Sequence, residues 1–376
     1  MAPQKKIAFL CFDTAFFVRH FRPVVDAARA GGFAITALLP TLPGEPIDFL
    51  DGVEIIRIKV GRSQRPVFSL LSNLRSVVSS LRACRPDVVQ AFTVHACFVL
   101  AVASRLVDIP YRIYTITGLG LIEIDSRWVN RILRPLVYGY LRSADSASTV
   151  FVFENATDPI RLGFRQGRPR RNVTLMGAGV DVEMFLPYPL PALPPLKTAI
   201  VARMIWSKGI DLAVEAVSRL VTQGVAVELD IYGAPDLDNQ RHFPTQVLEG
   251  WGRRPGIRWH GHVSDICEVW QNHHIGLFPS RGGEGLPRAM LEAAACGRAL
   301  ITTAVAGCAD FVRPGLEGLV VKPNSVEALS RAIETFVNHP GLLKSMGEAA
   351  RQRVIVNSTA QIITSRYRSL FSQLLN

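Results

Sequence analysis

Short apolar runs of strand length alternate with longer helix-like stretches along most of the chain. Ile7–Phe12 reads as a buried strand and Val18–Ala30 as a helix that Gly31–Gly32 terminates. Ile35–Leu39, Val53–Val60, Val88–Phe92, Arg112–Thr115 and Val150–Phe153 read as further strands. A second series follows with Ala199–Arg203, Val227–Ile231, Ile257–His260, Ile275–Phe278, Ala299–Thr303 and Leu319–Val321. Helices are expected from Ile210, over Val326–Val337 and over Ser358–Leu375. Strands separated by helices pair in a mostly parallel sheet, so the order predicts an α/β protein. The 376 residues suit two such domains, each long enough to bury a core. Between the two series, Pro187–Pro195 holds five prolines in nine residues and reads as a linker.

The apolar content of 48% against 19% charged residues describes an ordered chain. Lys5 and Lys6 lead directly into Ile7–Phe12, a run too short for a signal core, and no stretch has the length of a membrane span. The six cysteines (Cys11, Cys84, Cys97, Cys267, Cys296, Cys308) form no C-x-x-C pair and follow no metal-ligand spacing, so buried free thiols are expected. His260, His262, His273 and His274 also fit no ligand pattern, and Asp236–Leu237–Asp238 reads as a solvated turn. No metal site and no cofactor are expected.

The net charge of +11 is unevenly spread. Through Phe185 there are 23 Lys and Arg against 15 Asp and Glu, a net of +8. The remainder has 19 against 16, or +3. A basic first half can meet nucleic acid, anionic lipid or a diphosphate. No nucleic-acid motif accompanies it, which leaves lipid and diphosphate. Two stretches in that half combine arginines with apolar residues at helical spacing: Ser69–Arg85 and Arg127–Arg142. Each can lie in a headgroup layer or pack its apolar face on the sheet.

The richest chemistry lies after Ile275–Phe278. Gly282, Gly283 and Gly285 make a loop that a ligand can approach closely, and Pro287 suits a helix start. A strand, a glycine loop and a helix N-terminus together favour an anion such as a diphosphate. Glu284 lies in the loop and Glu292 in the helix, with seven residues between them. Two carboxylates so placed can hold the hydroxyls of a hexose and of a ribose on either side of that anion. Arg203 and Lys208 bracket a strand-to-helix turn where two cations can clamp a diphosphate.

Glu284–Gly285–Leu286–Pro287–Arg288, Leu291–Glu292–Ala293, Gly297–Arg298, Ile301–Thr302–Thr303 and Gly307–Cys308 resemble the donor-binding signature of glycosyltransferase family 4. These are retaining enzymes of the GT-B fold, with two facing Rossmann-like domains, a cleft between them and a last helix that crosses back to the first domain. The closer resemblance is to a bacterial branch that extends sugars on polyprenyl-diphosphate carriers. It implies an N-terminal acceptor domain over 1–186, a linker over 187–196, a nucleotide-sugar domain over 197–356 and a returning helix over 357–376. It implies catalytic roles for Glu284, Arg203 and Lys208. Donor binding falls to Glu292, Gly283, Gly285, Leu286 and Val263, the last in a loop (Gly261–Asp265) that resembles the nucleobase-reading loop. On the acceptor side it points to Arg22, His95, Thr117 and Gly118.

Two departures matter. His95 stands where this branch often has lysine, and Thr117 stands where many other members carry a catalytic histidine. No general base is therefore assigned. The expected partners are a UDP-linked sugar, a polyprenyl-diphosphate-linked saccharide and an anionic membrane surface, at the inner face of a bacterial cytoplasmic membrane. A nucleotide-sugar epimerase of the same architecture and a non-catalytic sugar-nucleotide binder remain the alternatives.

Overall fold

The computed structural model describes residues 4–40, 50–60, 66–120, 123, 128–164, 172–174, 177, 179–237 and 239–375. It divides into two units: Met1–Gly179 with Ala360–Asn376, and Val180–Thr359.

The first unit holds β1 (Lys6–Leu10), β2 (Ala34–Leu39), β3 (Glu54–Arg57), β4 (Val88–Phe92), β5 (Tyr111–Ile116), β6 (Thr149–Phe153) and β7 (Asn172–Thr174). They form one parallel sheet in the order β3-β2-β1-β4-β5-β6-β7. Side chains alternate across a strand, and β1 divides its residues accordingly. Ile7 and Phe9 enter one core layer, with Val24 and Val25 of helix Arg22–Ala30 and with Ile363, Tyr367 and Phe371 of the last helix. Ala8 and Leu10 enter the other, with Val77 and Leu81, Val99 and Leu100, and Leu141. The last helix, Ala360–Leu375, thus belongs to the first unit's core, with Phe371 set edge-on to Phe33 at 5.7 Å.

One expected element divides. Val18–Ala30 is not a single helix: Thr14–His20 ends at Phe21, and Arg22–Ala30 begins anew. The cause is Pro23. Inside a continuous helix it would lose its hydrogen bond and clash with the carbonyl four residues back, whereas at the second position of a new helix it costs nothing.

The second unit holds β8 (Leu196–Val201), β9 (Val227–Tyr232), β10 (Ile257–Gly261), β11 (Ile275–Phe278), β12 (Ala299–Thr303) and β13 (Gly318–Val321). Again the sheet is parallel, in the order β10-β9-β8-β11-β12-β13. Ile200 faces the helices Ile210–Thr222 and Val326–Asn338, while Ala199 faces Arg288–Ala295 and the end of Gly341–Asn357. The proline-rich stretch packs within this unit. The fully buried Arg298 donates to the carbonyl oxygens of Tyr188 (2.5 Å) and Pro189 (3.5 Å). His274 receives the Lys197 N–H at Nδ1 and donates from Nε2 to the Pro191 carbonyl, each at 3.0 Å.

Candidate functional site

In an open parallel sheet, ligands bind beyond the carboxyl ends of the strands where the strand order reverses. In the second unit that point lies between β8 and β11, which are adjacent in the sheet although β9 and β10 intervene in the chain. The segments leaving these two strands carry Lys208 and Glu284. After β8 the chain makes a single turn of 3-10 helix, Trp206–Lys208, and Gly209 takes a left-handed conformation (φ 67°) before the next helix starts. A Cβ on Gly209 would run into the Pro279 carbonyl oxygen, so glycine lets the two segments touch.

Lys208 Nζ lies 2.8 Å from each carboxylate oxygen of Glu284. The pair is largely buried, with side chains 22% and 13% exposed. Ser280 Oγ is 2.9 Å from Glu284 Oε1 and 3.1 Å from the Ser207 carbonyl oxygen. Arg281 straps the two segments together. Its backbone N–H donates to the Ser207 carbonyl at 2.7 Å, and its guanidinium makes a two-pronged pair with Asp211 (2.7 and 2.8 Å) and donates to the Trp206 carbonyl. On the far side of the loop, Gly307 (φ 78°) abuts Gly285 so closely that a Cβ there would coincide with the Gly285 carbonyl oxygen. Thr303 Oγ1 donates to the Ser280 carbonyl at 2.5 Å. The loop is thus held from both neighbouring strands.

Helix Arg288–Ala295 follows with Pro287 at its cap, just outside the first turn, and no side-chain hydrogen bond caps it. Its first turn contains no acid. Glu292 is buried in this helix, 2.8 Å from Arg288 Nε. Leu286 and Met290 belong to one buried apolar cluster, against which Val263 of the Gly261–Asp265 loop also packs. Gly283 has φ 74°, and Gly285 is buried. Arg203 stands apart from the Lys208 pair in its bonding. It is 59% exposed and donates to Asp236 Oδ2 at 2.7 Å.

The first unit has its reversal between β1 and β4. Phe12, just past β1, and His95, just past β4, pack together there, their rings tilted by 34° with centroids 4.7 Å apart. Arg22 opens helix Arg22–Ala30, 3.7 Å from Asp26 and 58% exposed. Thr117 and Gly118 (φ 103°) follow β5, the next strand in the sheet.

Family profiles described as "Glycosyl transferase 4-like domain" and "Glycosyl transferases group 1" match residues 18–179 and 196–339. Among solved structures, sucrose-phosphate synthase from Thermosynechococcus elongatus superposes with a TM-score of 0.82 at 16% identity over 99% of both chains. Anabaena HepE in complex with UDP-glucose superposes at 0.73, also at 16% identity, over 98% of this chain and 99% of its own. The chain belongs to the GT-B glycosyltransferases. It is 22% identical to the N,N'-diacetylbacillosaminyl-diphospho-undecaprenol alpha-1,3-N-acetylgalactosaminyltransferase of Campylobacter jejuni, over 98% of this chain and 99% of the relative. It is 24% identical to the capsular polysaccharide biosynthesis glycosyltransferase CapM of Staphylococcus aureus over 82% of each chain. The expectations of a GT-B fold and of kinship with capsule and polysaccharide transferases therefore hold.

Other expectations find their places in this glycosyltransferase. Asp236 is not a merely solvated turn residue, since it is the partner of Arg203; Asp238 lies outside the described residues. Two of the four histidines share one carboxylate: His260 Nε2 and His273 Nε2 lie 2.5 and 3.0 Å from Asp230. Among the described residues no group of three or more His, Cys, Asp or Glu is placed to hold a metal. Cys308 lies close to Glu284, yet burial pushes its thiol up to about 12, which leaves it protonated and inert. Sequence reasoning missed Ser280, Asp211 and the strap made by Arg281. A serine and an arginine ahead of a glycine loop carry no signal of which turn they will bind.

The two amphipathic stretches separate. In helix Pro66–Cys84, Val77, Val78 and Leu81 are buried against the sheet. In helix Trp128–Ser143, Leu141 packs inward but Ile132, Leu133 and Leu136 are 55%, 44% and 63% exposed. Arg127 lies outside the described residues, as does Leu121 of the loop after Gly120. No described helix is long and apolar enough to cross a membrane.

Proposed function

We propose that this chain is a retaining family 4 transferase that moves a hexose or N-acetylhexosamine from a UDP-linked sugar to a polyprenyl-diphosphate-linked saccharide at the inner face of a bacterial membrane. The observation that carries the reading is the Lys208–Glu284 pair at the strand-order reversal, beside a helix start with no acid in its first turn. A cation paired with a carboxylate, in a loop that leads into a helix start, is what the junction of a sugar and a diphosphate requires. The HepE structures supply UDP-glucose as a donor precedent, and the Campylobacter relative's name supplies a diphospho-undecaprenol acceptor.

In this reading the bond from the sugar's anomeric carbon to the diphosphate breaks while the acceptor hydroxyl adds to the same face. The acceptor's proton passes to the departing diphosphate oxygen, so no protein base is needed. Lys208, Arg203 and the amides at the start of helix Arg288–Ala295 stabilise the growing phosphate charge. Glu284 holds the hexose hydroxyls and faces the cationic ring, and Glu292 holds the ribose diol. Leu286 and the backbone at Val263 bound the base, Gly283 and Gly285 bring the loop to the phosphates, and Arg22, His95, Thr117 and Gly118 face the acceptor. Phosphate charge is met by protein cations, so the reaction calls for no metal.

The test is a transfer assay with a lipid-diphosphate-linked acceptor, reading the anomeric configuration of the product by NMR. Retained configuration, a rate unchanged by a chelator and a loss of roughly 100- to 1,000-fold in Glu284→Gln support the reading. An inverted product, or a nucleotide sugar consumed without any acceptor, contradicts it.

A further inference from the structure

Lys208 ends a single turn of 3-10 helix, Trp206–Lys208, and one turn is too short to hold its own shape. The turn takes its form from what binds it. Arg281, in the loop after β11, binds the chain on both sides of Lys208. On one side its backbone N–H donates to the Ser207 carbonyl and its Nη1 to the Trp206 carbonyl, each at 2.7 Å. On the other side the guanidinium forks onto Asp211, in the first turn of helix Ile210–Thr222, at 2.7 and 2.8 Å. The same guanidinium lies 4.7 Å from the centre of the Trp206 ring. Its Nε donates to Asn324 Oδ1 at 2.9 Å, in the loop that follows β13.

Burial and pairing limit what this arginine can do. Its side chain is 7% exposed and its charge is met by Asp211, so it is occupied by the protein and does not reach a donor phosphate. The planar fork matters as much as the charge, because it meets both carboxylate oxygens at once. Directly after it the backbone reverses. Gly282 and Gly283 take φ values of 126° and 74°, and Glu284 returns to the Lys208 ammonium. The loop therefore holds Lys208 twice, through Arg281 at the main chain and through Glu284 at the ammonium. A diphosphate that claims the ammonium competes with Glu284 but leaves every Arg281 bond in place.

We infer that Arg281 is a positioning residue of the donor site: paired with Asp211, it fixes the Trp206–Lys208 turn so that the Lys208 ammonium meets the donor's diphosphate. The inference rests on the reading of the second unit as the donor site. It assigns the placement of the phosphate-binding cation to a residue that makes no contact with the donor. Two consequences separate this role from plain positive charge. Neutralising Asp211 adds net positive charge to the site, yet it frees the turn and must weaken phosphate binding. A lysine in place of Arg281 keeps the charge but loses the fork, so it does not restore binding.

The test is titration calorimetry of the full chain with UDP. Lys208→Ala should weaken binding roughly tenfold, the loss of one charged hydrogen bond. Arg281→Gln, Arg281→Lys and Asp211→Asn should each weaken it several-fold. In a Lys208→Ala background, Arg281→Gln should change the affinity by less than about twofold, because no ammonium is left to position. Circular dichroism and full saturation by UDP establish that each variant is folded, and where Arg281→Gln does not fold the cycle is run with Asp211→Asn. Losses that simply add in the double variant overturn the inference, since a merely structural role weakens the site with or without Lys208. Tighter binding in Asp211→Asn, or wild-type affinity in Arg281→Lys, overturns it as well by making Arg281 a simple source of charge. Wild-type protein that binds no UDP overturns the donor reading itself, and the inference with it.

Discussion

Lys208 serves two partners in this account. Its ammonium offsets the charge of Glu284, whose side chain is only 13% exposed, and in the proposed complex it also meets the donor's phosphate. Lys208→Ala should therefore lower kcat/KM by about 100- to 1,000-fold, the loss typical of removing one donor to a developing oxyanion. The exposed end of the Arg203–Asp236 pair predicts the opposite for its acid. Exposed ion pairs contribute little, so Asp236→Asn should keep kcat/KM within a few-fold of wild type. Steady-state kinetics on the two variants checks both, and equal losses would mean that the Arg203–Asp236 pair matters to the site as much as Lys208 does. Lys208 and Glu284 were legible singly, each from its own local string. Their contact was not, because they lie 76 positions apart in the chain and only the sheet order makes β8 and β11 neighbours.

At the scale of elements, the glycine loop depends on a contact with no room in it. Gly307 combines a left-handed φ with a Cβ position taken by the Gly285 carbonyl. At φ 78° and ψ −52°, a sparsely populated conformation, any other residue costs about 1–3 kcal/mol. Gly307→Ala should thus lower the unfolding midpoint of the second unit by roughly 4 °C or more, read by calorimetry. A second element-scale prediction concerns β9 and β10. Burial of Asp230 favours its neutral form, but hydrogen bonds from His273, Arg258 and His260 outweigh burial and hold its carboxyl well below the usual range. Tyr232 stacks on His260 at 4.5 Å, and Glu228 shares Arg258. With the native pKa depressed, the stabilisation is present above the unfolded value of about 4 and is lost as pH falls through the native one. Urea midpoints followed from pH 7 downward should fall less steeply in Asp230→Asn than in wild type, and parallel curves would assign the acid sensitivity elsewhere. The strand alternation was readable because buried parallel strands leave short apolar runs. The break at Phe21 was not read, because the apolar pattern runs on through Pro23 while the backbone cannot.

Across the whole molecule, two parallel sheets share the order of their first six strands, and each has one reversal point. The second carries Lys208 and Glu284, and the first carries the Phe12–His95 contact. The excess of positive charge in the first half was visible in the sequence. That Arg131, Arg134, Arg142 and Arg161 line one cavity of about 410 Å³ was not, since Arg161 follows β6 while the other three belong to the helix Trp128–Ser143 that precedes it. Donor identity stayed illegible for a similar reason: hydroxyl selection depends on side-chain geometry that no motif spells out. In the proposed function the second unit holds a nucleotide sugar between Glu284 and Glu292. The most direct measurement is thermal stabilisation of the purified protein across UDP-, GDP-, ADP- and TDP-sugars, because a ligand that prefers the folded state must raise its apparent stability. A selective shift with a UDP-sugar that disappears in Glu292→Ala is expected. No shift with any nucleotide sugar, or a shift that survives Glu292→Ala undiminished, would contradict it.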